Sequence, residues 1–222
     1  MRRPYAVIAM AATVGVAIIT AIVVMHPFLP IDATVEDDIQ SVNWGPLALT
    51  FPIFTWIGDT KGAIAEAIIF VAILIFNRRA WLTALGCSVS GLWYLTLSHI
   101  FIRARPTTAQ VLHVTEHPGA SSFPSGHTIF VATLVTVLML CFGHRFLPRR
   151  VLPLGWVLVF LTVVACAISR IYSGAHWPTD VLASLLIATA WLSFVVSVHR
   201  VSDPALEPEP EKQKATHQAT AG

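Results

Sequence analysis

The chain has 222 residues, of which 55% are hydrophobic and only 12% charged, and its mean hydropathy is +0.71. Soluble domains carry about 25% charged residues, so this composition excludes an ordinary water-soluble globule, and the hydrophobicity excludes a disordered chain. Fourteen Lys and Arg against twelve Asp and Glu leave a net charge of +2, too balanced for a nucleic-acid binder.

A bilayer-spanning helix needs ~20 mostly apolar residues, and six runs in this sequence are candidates. The first, Tyr5 to Met25, carries no charge. It exceeds the ~7–15 residues of a signal-peptide core, and His26, Pro27 and Phe28 follow it instead of a small-residue cleavage site, so it reads as a retained anchor. An acidic run, Asp32, Glu36, Asp37 and Asp38, falls in the loop after it. Leu47 to Ile57 is apolar but broken by Pro52 and flanked by Pro46 and Gly58. It is too short to cross and predicts an interfacial helix or re-entrant turn. The second span is Gly62 to Phe76, with the carboxylate Glu66 near its start. A carboxylate inside a membrane is a candidate functional group unless it reaches water.

The remaining spans are Ala80 to Ile102, His127 to Phe142, Val151 to Ile168 and Thr179 to Val198. Trp56, Trp93 and Trp177 suit an outer aromatic belt, and Trp81 and Trp156 an inner one. Cys87, Cys141 and Cys166 lie in apolar runs with no C-x-x-C pair, which suits small buried hydrophobes. From Val201 to Gly222 the composition loses apolar periodicity and predicts a disordered cytoplasmic tail. The expected fold is therefore all-α: a polytopic membrane domain of six transmembrane helices over residues 1–200, in contact with the lipid bilayer.

Basic residues set the orientation. With the N-terminus in the cytoplasm, Arg2, Arg3, Arg78, Arg79, Arg145, Arg149, Arg150, Arg200, Lys212 and Lys214 fall inside, and Lys61, Arg103, Arg105 and Arg170 outside. Both termini are then cytoplasmic.

Two outer segments break the apolar pattern. One is Arg103 to His127, containing RARP (Arg103 to Pro106) and FPSGH (Phe123 to His127); the other is SRIYSGAHWPTD, Ser169 to Asp180. Arg105 and Arg170 offer planar forks that match phosphate oxygens. Backbone amides at Ser125, Gly126 and His127 open a helix and can face an anion, and the Ser125 hydroxyl adds a donor. His127 and His176 can divide the work of nucleophile and proton donor. Asp180, four residues after His176, would fall on the same helical face if the sixth span begins near Pro178, and could there orient that ring. This set reads as phosphoryl transfer through a phosphohistidine. His113, Glu116 and His117 could suggest a metal cluster, but beside Pro118 they read as solvated loop residues.

RP at Arg105-Pro106, PSGH at 124–127 and SR-x5-H-x3-D from Ser169 to Asp180 resemble the three signature blocks of the type 2 phosphatidic acid phosphatase (PAP2) superfamily. The resemblance covers roughly Ala80 to Val198. It implies a PAP2-type helical core with His176 as nucleophile, Asp180 as its orienter and His127 as general acid. Arg105, Arg170, Ser125 and Gly126 would hold the phosphate, with no metal and no cofactor. The substrate class it implies is a lipid phosphate or diphosphate, with undecaprenyl or another polyprenyl diphosphate foremost, and phosphatidic acid or phosphatidylglycerol phosphate as alternatives. The first block departs from the family's K-x6-R-P, because Ser98 stands where the Lys would be. Arg103, or else Lys61, is the expected substitute at the phosphate. A non-catalytic phospholipid-binding membrane protein is the alternative of another class.

Overall fold

The computed structural model describes residues 1–57, 60–116 and 119–206, without the side chains of Thr60, Lys61 and Ala63. Helix α1 (Arg3–Met25) carries Pro4 in its first turn, where a missing N–H costs nothing, and is apolar on every face. Helix α2 (Pro30–Ser41) follows. Next come a 3-10 turn (Gly45–Thr50), α3 (Phe51–Ile57) and α4 (Thr60–Phe76). A second 3-10 turn (Arg78–Ala80) leads into α5 (Trp81–Ser88) and α6 (Gly91–Ile100). After a long loop, α7 (Gly126–Leu138) passes through a π-helical turn (Met139–Gly143) into the short α8 (His144–Phe146). The chain ends in α9 (Leu152–Tyr172), α10 (Pro178–Ser197) and α11 (His199–Leu206).

Among the described residues, five helical runs are long and apolar enough to cross a bilayer: Arg3–Met25, Arg78–Ile100, Gly126–Phe146, Leu152–Tyr172 and Pro178–Ser197. The expected second span is the 17-residue α4, which rises about 26 Å against a ~30 Å hydrocarbon core. Its start, at Gly62, shares a cavity with His127 at the head of α7. Just past its end, Asn77 Nδ2 donates to the Cys141 carbonyl at 2.6 Å, in the π turn at the far end of α7. Helix α4 is thus tied to both ends of the α7 run, by the shared cavity at Gly62 and by the Asn77 bond into the π turn.

The core of that far half is built from small side chains: Ala80, Ala84, Cys87, Ala132, Cys141 and Ala188 pack with Ile73, Leu192 and Val195. Without a hydrophobic drive between helices in lipid, small residues let backbones approach, which explains why all three cysteines are buried and free. The chain stays helical beyond the expected start of a tail at Val201. Helix α11 is tied down by Thr83 Oγ1 donating to the Val201 carbonyl at 2.6 Å and by an Arg2–Asp203 ion pair at 2.8 Å. The rest of the expected tail, 207–222, lies outside the described residues.

The acidic run after α1 is not a loop. It forms α2, and the residues it buries are polar: Asp32, Glu36 and Gln40, spaced i, i+4, i+8 on one face. That face packs on the loop before α7 and on the first turn of α10. Asp32 accepts from Arg103 and from the Thr179 hydroxyl, each at 2.7 Å, while Gln40 bonds both ways with the His113 backbone, at 2.9 and 3.0 Å. Burial first, then the charges of Asp32 and Asp180, push the Glu36 carboxyl up to about 9. Unfolded, it ionises near 4.5, so between those values the unfolded chain binds fewer protons and stability falls as pH rises. Glu36→Gln is expected to gain at least about 1 kcal/mol at pH 8 and nothing at pH 4.5. Scanning calorimetry at both pH values checks it.

Candidate active site

The third sequence block leaves α9 at Tyr172, turns through Gly174 and enters α10 at Pro178. Gly174 has φ +68, and a Cβ there would sit 2.7 Å from the His113 carbonyl oxygen, so this turn accepts only glycine without strain. The turn seats His176 in a buried position, with its N–H directed to the Arg170 carbonyl at 3.3 Å. His176 Nδ1 lies 2.6 Å from the Ser122 carbonyl oxygen. A carbonyl only accepts, so Nδ1 carries the proton and Nε2 presents a lone pair. That Nε2 faces Arg105 Nη1 at 3.4 Å, a group that only donates.

Asp180 does not orient His176 directly, which corrects the expectation from their spacing. Helix α10 begins at Pro178, so His176 lies outside it and the i+4 face relation does not apply. The Asp180 carboxylate instead accepts from the Trp177 N–H at 3.0 Å, capping the helix, and from Arg103 Nη1 at 2.5 Å. Ser122, whose carbonyl holds His176 Nδ1, lies beside Asp180, and its hydroxyl donates to the Ala104 carbonyl at 3.3 Å. Trp177, expected at the membrane surface, is buried. Its Nε1 donates to the Ala104 carbonyl at 2.8 Å, and its ring packs edge-on against Phe28.

The three arginines of the two polar segments divide. Besides His176, Arg105 is held by carbonyls: Nε to Gly119 at 3.0 Å, Nη1 to Ala175 and Nη2 to Ser121 at 2.5 Å each. Among the described residues no carboxylate is paired with it, so its charge faces His176. Arg170, wholly buried, holds the Glu116 carboxylate with both Nη atoms, at 2.9 and 3.3 Å, and Nη2 also donates to Thr55 Oγ1 at 2.5 Å. Arg103, expected at the phosphate, is placed elsewhere. Its donors go to Asp32, Asp180, Thr179 and the Pro27 carbonyl, and its cation lies 5.8 Å from the Trp177 ring centre. Two buried carboxylates demand a cation there, and Arg103 supplies it. The side chain of Lys61, the other expected substitute, lies outside the described residues. Ser98 is turned back onto α6, donating to the Leu95 carbonyl at 3.3 Å.

Helix α7 starts at the second block. Of the three expected amides, that of Ser125 is already bonded to Ser184 Oγ at 2.7 Å, leaving those of Gly126 and His127 in the first turn. Gly126 lies under the Tyr94 ring, and a Cβ there would meet it at 2.9 Å. The His127 ring lies beside the Thr55 backbone and within reach of the charges of Arg170, Glu116 and Arg105. Beside it lies a cavity of about 240 Å³ whose lining includes Glu66, Ser88, Ser90, Tyr94 and Thr133. The α5–α6 break at Val89-Ser90 opens onto this space, and the Ser90 and Thr133 hydroxyls bond at 2.7 Å. Irregular backbone at membrane depth is tolerated where it borders such a cavity.

Four participants were not legible in the sequence. Thr55 lies in the apolar stretch read as interfacial, and Ser122 precedes the PSGH block; Asp32 and Glu116 read as solvated acids. Only Glu116 carried a signal, as an acid in the loop that bears two of the three blocks. Its neighbours His117 and Pro118 lie outside the described residues.

Burial first, and Arg105 second, drive the His176 imidazole well below its ordinary 6.5. A reaction that uses the Nε2 lone pair requires the neutral ring, which exists above the folded pKa. The acid limb of activity is therefore expected well below pH 6.5. Arg105→Gln, which removes the second cause and leaves the first, should move that limb upward without restoring 6.5; pH–rate profiles of both proteins test this.

Known proteins are similar to this chain in sequence and in fold. The PAP2 superfamily profile matches residues 79–203. An undecaprenyl-diphosphatase of Bacillus subtilis is 32% identical over 131 residues, 56% of this chain and 63% of that protein. A phosphatidylglycerophosphatase B of Haemophilus influenzae is 38% identical over 92 residues, 39% of this chain and 35% of that one. The chain thus spans less than two thirds of either relative's length. The crystal structure of a transmembrane PAP2-type phosphatidylglycerolphosphate phosphatase from Bacillus subtilis superposes with a TM-score of 0.68 at 22% identity, covering 85% of this chain and 93% of that one. The profile match takes in Arg105, the PSGH run and the whole third block: the chain belongs to the PAP2 superfamily.

Proposed function

We propose that this protein is an integral-membrane lipid phosphatase of the cell membrane. It hydrolyses a lipid phosphate or diphosphate at the extracytoplasmic face through a phosphohistidine, with a polyprenyl diphosphate such as undecaprenyl diphosphate as substrate. The observation that carries the reading is His176, whose Nδ1–H is held by the Ser122 carbonyl while Nε2 abuts the Arg105 guanidinium. Nε2 attacks phosphorus, the P–N bond forms, and the bond to the leaving oxygen breaks as His127 gives that oxygen a proton. Water then attacks phosphorus and His127 takes its proton. The P–N bond breaks, releasing phosphate and restoring the Nε2 lone pair. Arg105, Arg170, the Gly126 amide and the Ser125 hydroxyl hold the equatorial oxygens; Asp180 positions His176 by way of Ser122.

The outer placement rests on charge: ten basic residues on one side against four on the side of Arg105 and Arg170. The Arg2–Asp203 ion pair supports it by joining the two ends of the described chain. The polyprenyl diphosphate rests on the Bacillus subtilis relative's name. A second reading, a phosphatidylglycerol phosphate phosphatase, is favoured by Glu66, whose carboxylate lines the cavity beside His127. A leaving group bearing a hydroxyl fits there better than one bearing a second phosphate.

Phosphate release in detergent with EDTA present, from polyprenyl diphosphate, phosphatidylglycerol phosphate and phosphatidic acid, tests the proposal. Release fastest from the diphosphate supports the first reading, and fastest from phosphatidylglycerol phosphate the second. Silence from folded protein on all three overturns both in favour of a phospholipid-binding protein.

A further inference from the structure

Glu116 has no part in the chemistry above, yet its carboxylate lies on Arg170, the group assigned to the phosphate. The pair is bidentate, Nη1 to Oε2 at 2.9 Å and Nη2 to Oε1 at 3.3 Å, the two-point contact that a phosphoryl group would make. Thr55 closes the arrangement: Oγ1 accepts from Arg170 Nη2 and donates to Glu116 Oε1, each at 2.5 Å. We propose that Glu116 is the resident counter-ion of the empty phosphate site, holding the Arg170 fork until a phosphoryl group displaces it and thereby setting how tightly the site binds phosphate. This rests on the reading of Arg170 as a phosphate ligand.

Three observations carry it. Arg170 is wholly buried, and a buried guanidinium without a counter-ion is costly, so the empty site needs an anion of its own. The Glu116 side chain keeps 21% of its surface exposed, so its carboxylate has water to withdraw into. Its backbone need not follow, because Thr115 is pinned to the Ser173 carbonyl through N at 2.9 Å and Oγ1 at 3.1 Å. The charges agree with exchange. Arg105 is bonded by carbonyls and Arg170 by one carboxylate, so this trio sums to +1 with Glu116 in place and to +2 with it withdrawn. The second state complements a phosphoryl dianion.

The sign of one substitution separates exchange from scaffolding. If Glu116 competes with phosphate, Glu116→Gln tightens phosphate binding; if it merely braces Arg170, the same change loosens it. The full-length protein in detergent is titrated calorimetrically with inorganic phosphate and with orthovanadate, neither of which requires turnover. E116Q is expected to bind both about tenfold more tightly than wild type, with KM and kcat falling together as product leaves more slowly. Thr55→Val, which keeps both charges and removes only the hydroxyl bridge, should show a smaller gain in the same direction, and it carries the test if E116Q does not fold. Equal or weaker binding by the variants, or no phosphate binding by any of the proteins, overturns the inference. Tighter binding with no lipid hydrolysis by wild type overturns the proposed function and leaves this inference standing. Hydrolysis with unchanged phosphate affinity does the reverse.

Discussion

Replacing His176 with alanine is expected to lower phosphate release by at least about a thousandfold, because the variant loses the proposed nucleophile of the P–N bond. The effect should fall on kcat with little change in detergent-extracted yield, since the imidazole makes one side-chain bond, to the Ser122 carbonyl, besides its contact with Arg105. His127→Ala is a different lesion. It leaves the nucleophile and removes the proton donor and acceptor, for an expected loss of about a hundred- to ten-thousandfold. In that variant the second step, attack by water, lacks its base. Rapid quenching into alkali with labelled substrate should therefore trap more phosphoenzyme with His127→Ala than with wild type, and none with His176→Ala. Phosphoenzyme persisting in the His176 variant would assign the nucleophile to another residue.

Arg103→Ala is expected to fail as a fold before it fails as a catalyst. Arg103 lies between two buried carboxylates, Asp32 at 2.7 Å and Asp180 at 2.5 Å. Removing one member of a buried ion pair costs about 3–5 kcal/mol, because the charge left behind is buried without a counter-charge. Here two carboxylates are stranded at once, at the head of α10 and in α2. Lysine cannot repair the site, since a single ammonium lacks the fork that reaches Asp32, Asp180, Thr179 and the Pro27 carbonyl together. Thermal melts in detergent should show a large drop for both variants and, for Arg149→Ala on the exposed turn before α9, a change within about 0.5 kcal/mol. An Arg103→Ala protein that melts like wild type while losing phosphate affinity would return Arg103 to the phosphate.

The same arginine shows how far the sequence could be read. Apolar runs gave the helices because hydropathy is a local property, and the helix-opening PSGH run gave the start of α7 for the same reason. What could not be read is which of two arginines two residues apart meets a carboxylate. Arg103 and Arg105 are alike in type and setting, and their fates differ because Asp32, some seventy positions earlier, arrives beside one of them. Helix α2 concealed its role for a related reason. A stretch rich in Asp and Glu reads as solvated, and only tertiary pairing makes an inward-facing acidic stripe affordable. Asp180 misled through an assumed continuity: the four-residue spacing from His176 carries a helical relation only if the helix contains both, and Pro178 starts it too late.

Helix α2 lies wholly outside residues 79–203, the portion that carries the family's signature. That portion is consequently not a transplantable module. A chimera that grafts it onto another membrane scaffold would carry every recognisable catalytic block and still bring Arg103 without Asp32, and the His113 backbone without Gln40. Portability in this protein depends on twelve residues that no signature block includes.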